Sequence, residues 1–154
     1  MRIVALTEVE LPLLRKCVKS CVEEQGEERM AGVLDIGAYE EFWRVAFTRG
    51  AGIFVVLNDN NDVVGGLGGT VYNDVHTDKK HALVVFWYMS PAIRGFHGGL
   101  YSARLWRKFE AWAREQGAVC INSAYRERTM PPRVQGFYER SGFKPLETIY
   151  RKLL

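Results

Sequence analysis

The feature that most constrains this chain is a change of character near its middle. Ala82 to Met89 is apolar at nearly every position, Pro91 stops the run, and Arg94-Gly95-Phe96-His97-Gly98-Gly99 leads into a helical pattern from about Gly98 to Gln116. A strand that is apolar on both faces belongs inside a covered sheet, so Ala82 to Met89 is expected at the sheet's centre. Gly117 stands where a left-handed residue closes a helix. Between strand and helix, amides with little side chain around them collect at a helix N-terminus. There the first N–H groups lack intrahelical acceptors, and the macrodipole amounts to about half a positive charge. Such a corner attracts an anion, and Arg94 adds a full charge beside it. Glycine is common in turns, so the loop taken alone reads better as structural.

The flanking segments supply the rest of an α/β fold. Met1 to Leu6 suits a strand, and Glu10 to about Glu24 has helical periodicity with Pro12 tolerable in the first turn. After an acidic, glycine-punctuated stretch, Tyr39, Phe42, Trp43, Ala46 and Phe47 form the apolar stripe of a second helix. Ile53 to Leu57, the turn residues Asn58 to Asp62, and Val63 to Tyr72 predict a hairpin. Gly65-Gly66-Leu67-Gly68-Gly69 lies inside its second strand with no helix after it, so it is a place of close backbone approach and not a dinucleotide fingerprint. Val119 to Ser123 reads as a strand, Val134 to Ser141 as a short helix stopped by Gly142, and Thr148 to Leu154 as a closing strand.

At 154 residues, one domain spanning 1–154 is expected. A net charge of +3, with bases scattered among acids, does not indicate nucleic acid. No apolar stretch approaches the roughly 20 residues of a membrane helix, and the N-terminus lacks a leader pattern, so a cytoplasmic protein is expected. Cys17 and Cys21 share the apolar face of the first helix and read as core filler, with no histidine arranged around them for a metal. Free thiols suit a reducing compartment.

The order of these elements resembles the GNAT family of acetyltransferases. The segments that carry the likeness are the hydrophobic-x-Pro-x-x-Arg-Gly turn, the helix ending Ala111-Trp112-Ala113-Arg114-Glu115-Gln116-Gly117, and Phe137-Tyr138-Glu139-Arg140-Ser141-Gly142-Phe143. The resemblance implies a mixed, mostly antiparallel α/β sheet splayed between two middle strands and flanked by about four helices. It implies acetyl-CoA as cosubstrate, without a metal, and direct transfer of the acetyl group to a primary amine through a tetrahedral intermediate. The cofactor's pyrophosphate would lie on Arg94, Gly95, Phe96, His97, Gly98 and Gly99. Tyr88 and Met89 would offer main-chain hydrogen bonds, and Tyr138 would return a proton to the CoA thiolate, work for which a phenol of pKa about 10 suffices. The implied partners are a small-molecule or peptide amine and, as is common in that family, a second copy of the chain.

The chain also departs from the family pattern. His97 stands where the turn usually has glycine, Pro131 replaces an asparagine that would bond the cofactor, and Phe86, Trp87 and Tyr88 offer no carboxylate base on the strand. Glu127, His76 and His81 are the candidate bases, each weighed against a solvated loop position. The acids Glu23, Glu24, Glu27 and Glu28 read as a solvated helix end on the side where the family admits its acceptor. Trp43, Trp87, Trp106 and Trp112 read as core or interface residues. These departures keep a second reading open, that of a catalytically inert module which retains the fold to bind CoA or a protein.

Overall fold

A computed structural model describes residues 1–25, 34–124 and 132–146. The chain forms two contact units, Met1–Ser123 and Ala124–Leu154. In the first, β1 (Arg2–Ala5) is followed by a 3-10 turn over Glu8–Leu13, α1 (Leu14–Gln25), α2 (Ile36–Phe47), β2 (Gly52–Leu57), β3 (Val63–Asn73), β4 (Lys80–Met89), a second 3-10 turn over Pro91–Ile93, α3 (Phe96–Glu115) and β5 (Cys120–Asn122). Pro12 sits inside the first 3-10 turn, so α1 proper begins at Leu14 and not at Glu10.

The strands lie in the order β1-β2-β3-β4-β5. The first four pair antiparallel, and β5 runs parallel to β4. Among the described residues β3, and not β4, is therefore the middle strand. Pairing of β4 with β5 is confined to His81, Ala82 and Leu83 opposite Cys120, Ile121 and Asn122. Beyond Leu83 that edge of β4 faces no described strand, as the expected splay requires. On its other edge β4 carries one extra residue, Val85, because Gly69 opposes Val84 while Gly68 opposes Phe86. A bulge of this kind bends a strand and sharpens its twist.

The helices cover the sheet from both sides, and the two-residue strand period decides what each side meets. Ile53, Val55 and Leu57 join Leu14, Cys17, Trp43 and Ala46 in one core beneath α1 and α2. On the opposite face α3 brings Leu105, Trp106, Phe109 and Ala113 inward, all buried. Trp87 crosses Trp106 edge to face there, at 5.5 Å between ring centres.

The glycines of β3 permit this packing. A Cβ on Gly69 would stand 2.2 Å from the Leu83 carbonyl and 2.6 Å from Phe109, and one on Gly68 would stand 2.4 Å from the Phe86 ring. Close approach was the expected reason for them. In the second unit, α4 (Pro132–Arg140) ends in a left-handed cap: Gly142 has φ +83, its amide bonds the Glu139 carbonyl, and the Phe143 amide bonds the Tyr138 carbonyl at 3.0 Å. The expected closing strand, Thr148 to Leu154, lies outside the described residues.

Candidate active site

The site is built at the end of β4. Pro91 and the 3-10 turn halt the strand, Arg94 is extended, and Gly95 takes φ +103, a conformation that residues with a side chain rarely adopt. That reversal starts α3 at Phe96, two residues before the expected Gly98. The consequence is a division of labour among the glycines. Gly98 and Gly99 belong to the first helical turn. Gly99 already donates its amide to the Gly95 carbonyl at 2.9 Å, so it is not one of the unsatisfied donors.

The amides of Phe96, His97 and Gly98 precede the first intrahelical donor, Gly99, and Gly95 has no side chain with which to cap them. A Cβ on Gly98 would stand 2.7 Å from the Ile93 carbonyl, which is why the helix can fold tightly over the turn. A Cβ on Gly99 would meet nothing within 4 Å. The corner thus presents bare donors, a helix dipole and open space, as a diphosphate requires. Phe96 and His97 are both exposed, with their rings 5.8 Å apart in an edge contact.

Strand alternation sorts the main-chain groups of Tyr88 and Met89. The Ser90 amide bonds the Val64 carbonyl at 2.9 Å, and Tyr88 opposes Gly66 two residues earlier, so the backbone of Tyr88 turns toward β3. Met89 consequently turns toward the edge that β5 has left. Of the two residues expected to offer main-chain bonds to a cofactor, Met89 alone faces the cleft.

Arg94 is placed differently from expectation as well. Its Nε donates to the Met89 carbonyl at 2.9 Å. Its two terminal nitrogens hold both oxygens of Glu24, Nη2 donating to Oε2 at 2.6 Å and Nη1 to Oε1. The guanidinium carbon lies 5.7 Å from the centre of the Tyr88 ring. The fork is held by protein groups along both of its sides, the Met89 carbonyl and the Glu24 carboxylate.

These contacts move the local titrations. The hydrogen bonds from Arg94, opposed in part by burial, hold the Glu24 carboxyl below its ordinary range. Burial, then the neighbouring Glu24 charge, pushes the Tyr88 phenol up to about 12. Tyr88 therefore stays protonated at any physiological pH.

Glu24 is the partner of Arg94 that the sequence does not announce. It was read with its neighbours as solvated, yet it reaches a partner 70 residues away. One signal was present: Glu23 and Glu24 occupy the last turn of α1, which has no basic residue and where the helix dipole disfavours acids.

The remaining candidates fall elsewhere. His76 and His81 belong to the hairpin end of β4, with His81 against the Tyr72 ring at 5.6 Å between ring centres. At about 3.3 Å per residue, that end is about 25 Å from Met89. Tyr138 lies on α4 of the second unit, where it is buried and crosses the Phe143 ring edge to face at 5.1 Å. Glu127 and Pro131 lie outside the described residues. Among the described residues no group of three His, Cys, Asp or Glu side chains could hold a metal ion, and no helix is long and apolar enough to cross a membrane.

Comparison with known proteins agrees with this architecture. Residues 13–143 match the model of the acetyltransferase (GNAT) family. Among solved structures, an acetyltransferase from Trypanosoma brucei superposes with a TM-score of 0.72 at 17% identity, covering 99% of both chains. An aminoglycoside acetyltransferase from an uncultured soil metagenomic sample superposes with a TM-score of 0.76 at 15% identity, over 99% of this chain and 97% of that one. A second such enzyme, solved in complex with sisomicin, reaches 0.71 at 16% identity over 99% and 96%. No curated protein matches the chain significantly.

Proposed function

Because the chain belongs to the acetyltransferase (GNAT) family, we propose that it is an N-acetyltransferase that moves an acetyl group from acetyl-CoA to a primary amine by direct transfer. The observation that carries the reading is the adjacency, at one end of β4, of an uncapped helix N-terminus and a strand edge that no described strand pairs beyond Leu83. When bound, acetyl-CoA supplies an activated thioester. The amides of Phe96, His97 and Gly98 hold its diphosphate, and the space beside Gly99 admits it. The backbone of Met89 offers a hydrogen bond to the arm that runs along the open edge.

Tyr138, which matches the family's proton donor, would protonate the departing CoA thiolate to the thiol. Among the described residues near the Met89 end, Glu24 is paired with Arg94 and His97 is exposed. We therefore assign deprotonation of the amine to water or to the acceptor's own low basicity. The reading takes 1–154 as a single catalytic domain with a small-molecule or peptide amine as acceptor. It also puts the protein in the cytoplasm, where the free thiols of Cys17, Cys21 and Cys120 stay reduced.

The test has two arms. Calorimetry with CoA should show binding, and a thiol-release assay over aminoglycosides, polyamines and peptides should show CoA produced with at least one amine. Binding without turnover on any amine would favour the inert CoA-binding module. The absence of binding at millimolar CoA would remove the transferase reading. Tyr138→Phe should lower turnover by about 10²- to 10⁴-fold with CoA affinity nearly unchanged.

A further inference from the structure

The contacts around Arg94 carry a role for a residue outside the glycine turn. Met89 is the last residue of β4, and its carbonyl faces the edge with no ladder partner among the described residues. A carbonyl in that position, on a residue only 9% exposed, needs a donor. Arg94 Nε supplies one at 2.9 Å. The guanidinium is planar and rigid, so its orientation is set by whatever holds the other two nitrogens. That holder is Glu24, in a two-bond fork of the kind that fixes geometry as well as charge.

Glu24 also sits where its own helix disfavours it, at the negative end of α1. A local rule broken without local compensation points to a tertiary reason. The Tyr88 ring, stacked beside the guanidinium, restrains the pair from a third direction.

We infer that Glu24 is a positioning residue which, through Arg94, fixes the Met89 backbone at the cofactor edge of the cleft. With the Met89 carbonyl tied to Arg94, the amide of the same residue is left as the donor that this position turns toward the cofactor arm. Glu24 touches neither cofactor nor reacting atoms in this role. The inference rests on the acetyl-CoA reading of the same corner.

The experiment pairs two measurements on the full chain: calorimetry with CoA, and amide hydrogen exchange of peptides covering Phe86 to Gly95. Glu24→Gln and Arg94→Lys should each speed exchange at that strand end and weaken CoA binding by about fivefold, the size that a half-exposed pair can move. Combining them should cost little more than either alone, because both break one coupling. Glu23→Gln, on the neighbouring exposed residue, should change neither measurement. Reversal of the charges in Glu24→Arg with Arg94→Glu should recover part of the slow exchange that each single reversal loses.

Unchanged exchange and affinity in Glu24→Gln would overturn the inference. So would tighter CoA binding, since Glu24 would then be a competitor for the cofactor's anion and not a positioner. If wild-type protein fails to bind CoA, the transferase reading falls, while exchange still decides whether Glu24 holds the end of β4.

Discussion

Two glycine-rich stretches, Gly65 to Gly69 in β3 and Gly95 to Gly99 at the start of α3, look alike in composition and serve opposite ends. In β3 each of the four glycines lacks room: an added Cβ would come within 2.5 Å of Met89, 3.1 Å of Phe86, 2.4 Å of Phe86 and 2.2 Å of the Leu83 carbonyl at Gly65, Gly66, Gly68 and Gly69. At the helix start, Gly95 and Gly99 have nothing within 4 Å of that position. The β3 glycines let other groups fill the space, and Gly98 likewise lies against the Ile93 carbonyl, whereas Gly95 and Gly99 border open space. Glycine is packed against the core in the first case and borders open space at Gly95 and Gly99 in the second, and composition does not distinguish them.

Alanine substitutions can break or sharpen this contrast. The largest stability loss is expected at Gly69→Ala, where the methyl group meets a backbone carbonyl that has no rotamer to change. Overpacking of this kind costs about 3 kcal/mol, to be measured by thermal or denaturant unfolding. A melting temperature equal to wild type would show that β3 and β4 can part without cost. Gly95→Ala meets no atom but must hold φ +103, so about 1 to 3 kcal/mol of strain is expected, together with displacement of the first amides of α3 and loss of CoA binding.

Gly99→Ala is expected to go the other way in stability. Inside a helical turn with open space around it, alanine should stabilise the fold by about 0.5 to 1 kcal/mol while weakening CoA binding by crowding the approach. A destabilised Gly99→Ala, or one with unaltered affinity, would erase the distinction between the two stretches.

The smallest effect concerns pH. The folded-state pKa of Glu24 is depressed by Arg94, so the pair's contribution is present above the carboxyl's unfolded value, near 4.5, and is lost as pH falls through its lower folded value. The difference in stability between wild type and Glu24→Gln should therefore shrink on acidification below about pH 4.5. A difference that stays constant into acid would mean that Glu24 makes no titrating contact with Arg94.

Legibility followed the range of the interactions. The hairpin, the helical stripe through Tyr39, Trp43 and Phe47, and the caps at Gly117 and Gly142 were readable because each depends on neighbours within a few residues. Start points were less readable. The onset of α3 moved to Phe96 because a single backbone angle at Gly95 set it, and α1 moved to Leu14 because Pro12 was taken into a 3-10 turn.

Pairings across the chain were not readable. Arg15 meets the buried Glu40 at 2.6 Å, 25 residues on, and nothing in either segment announces it. The candidate site shows the same limit: the turn from Arg94 to Gly99 at the start of a helix was legible, whereas Glu24, which the arginine holds, was hidden in a run of acids that looked solvated.

By itself the sequence determined which described segments become strand or helix, though not where each begins, because period, proline and glycine act through local backbone geometry. Which edge of β4 lacks a described partner beyond Leu83, which of Tyr88 and Met89 turns toward it, and the pairing of Arg94 with Glu24 were decided only by the tertiary structure. Those outcomes depend on strand register and on side chains brought together from distant segments, and no local rule encodes either.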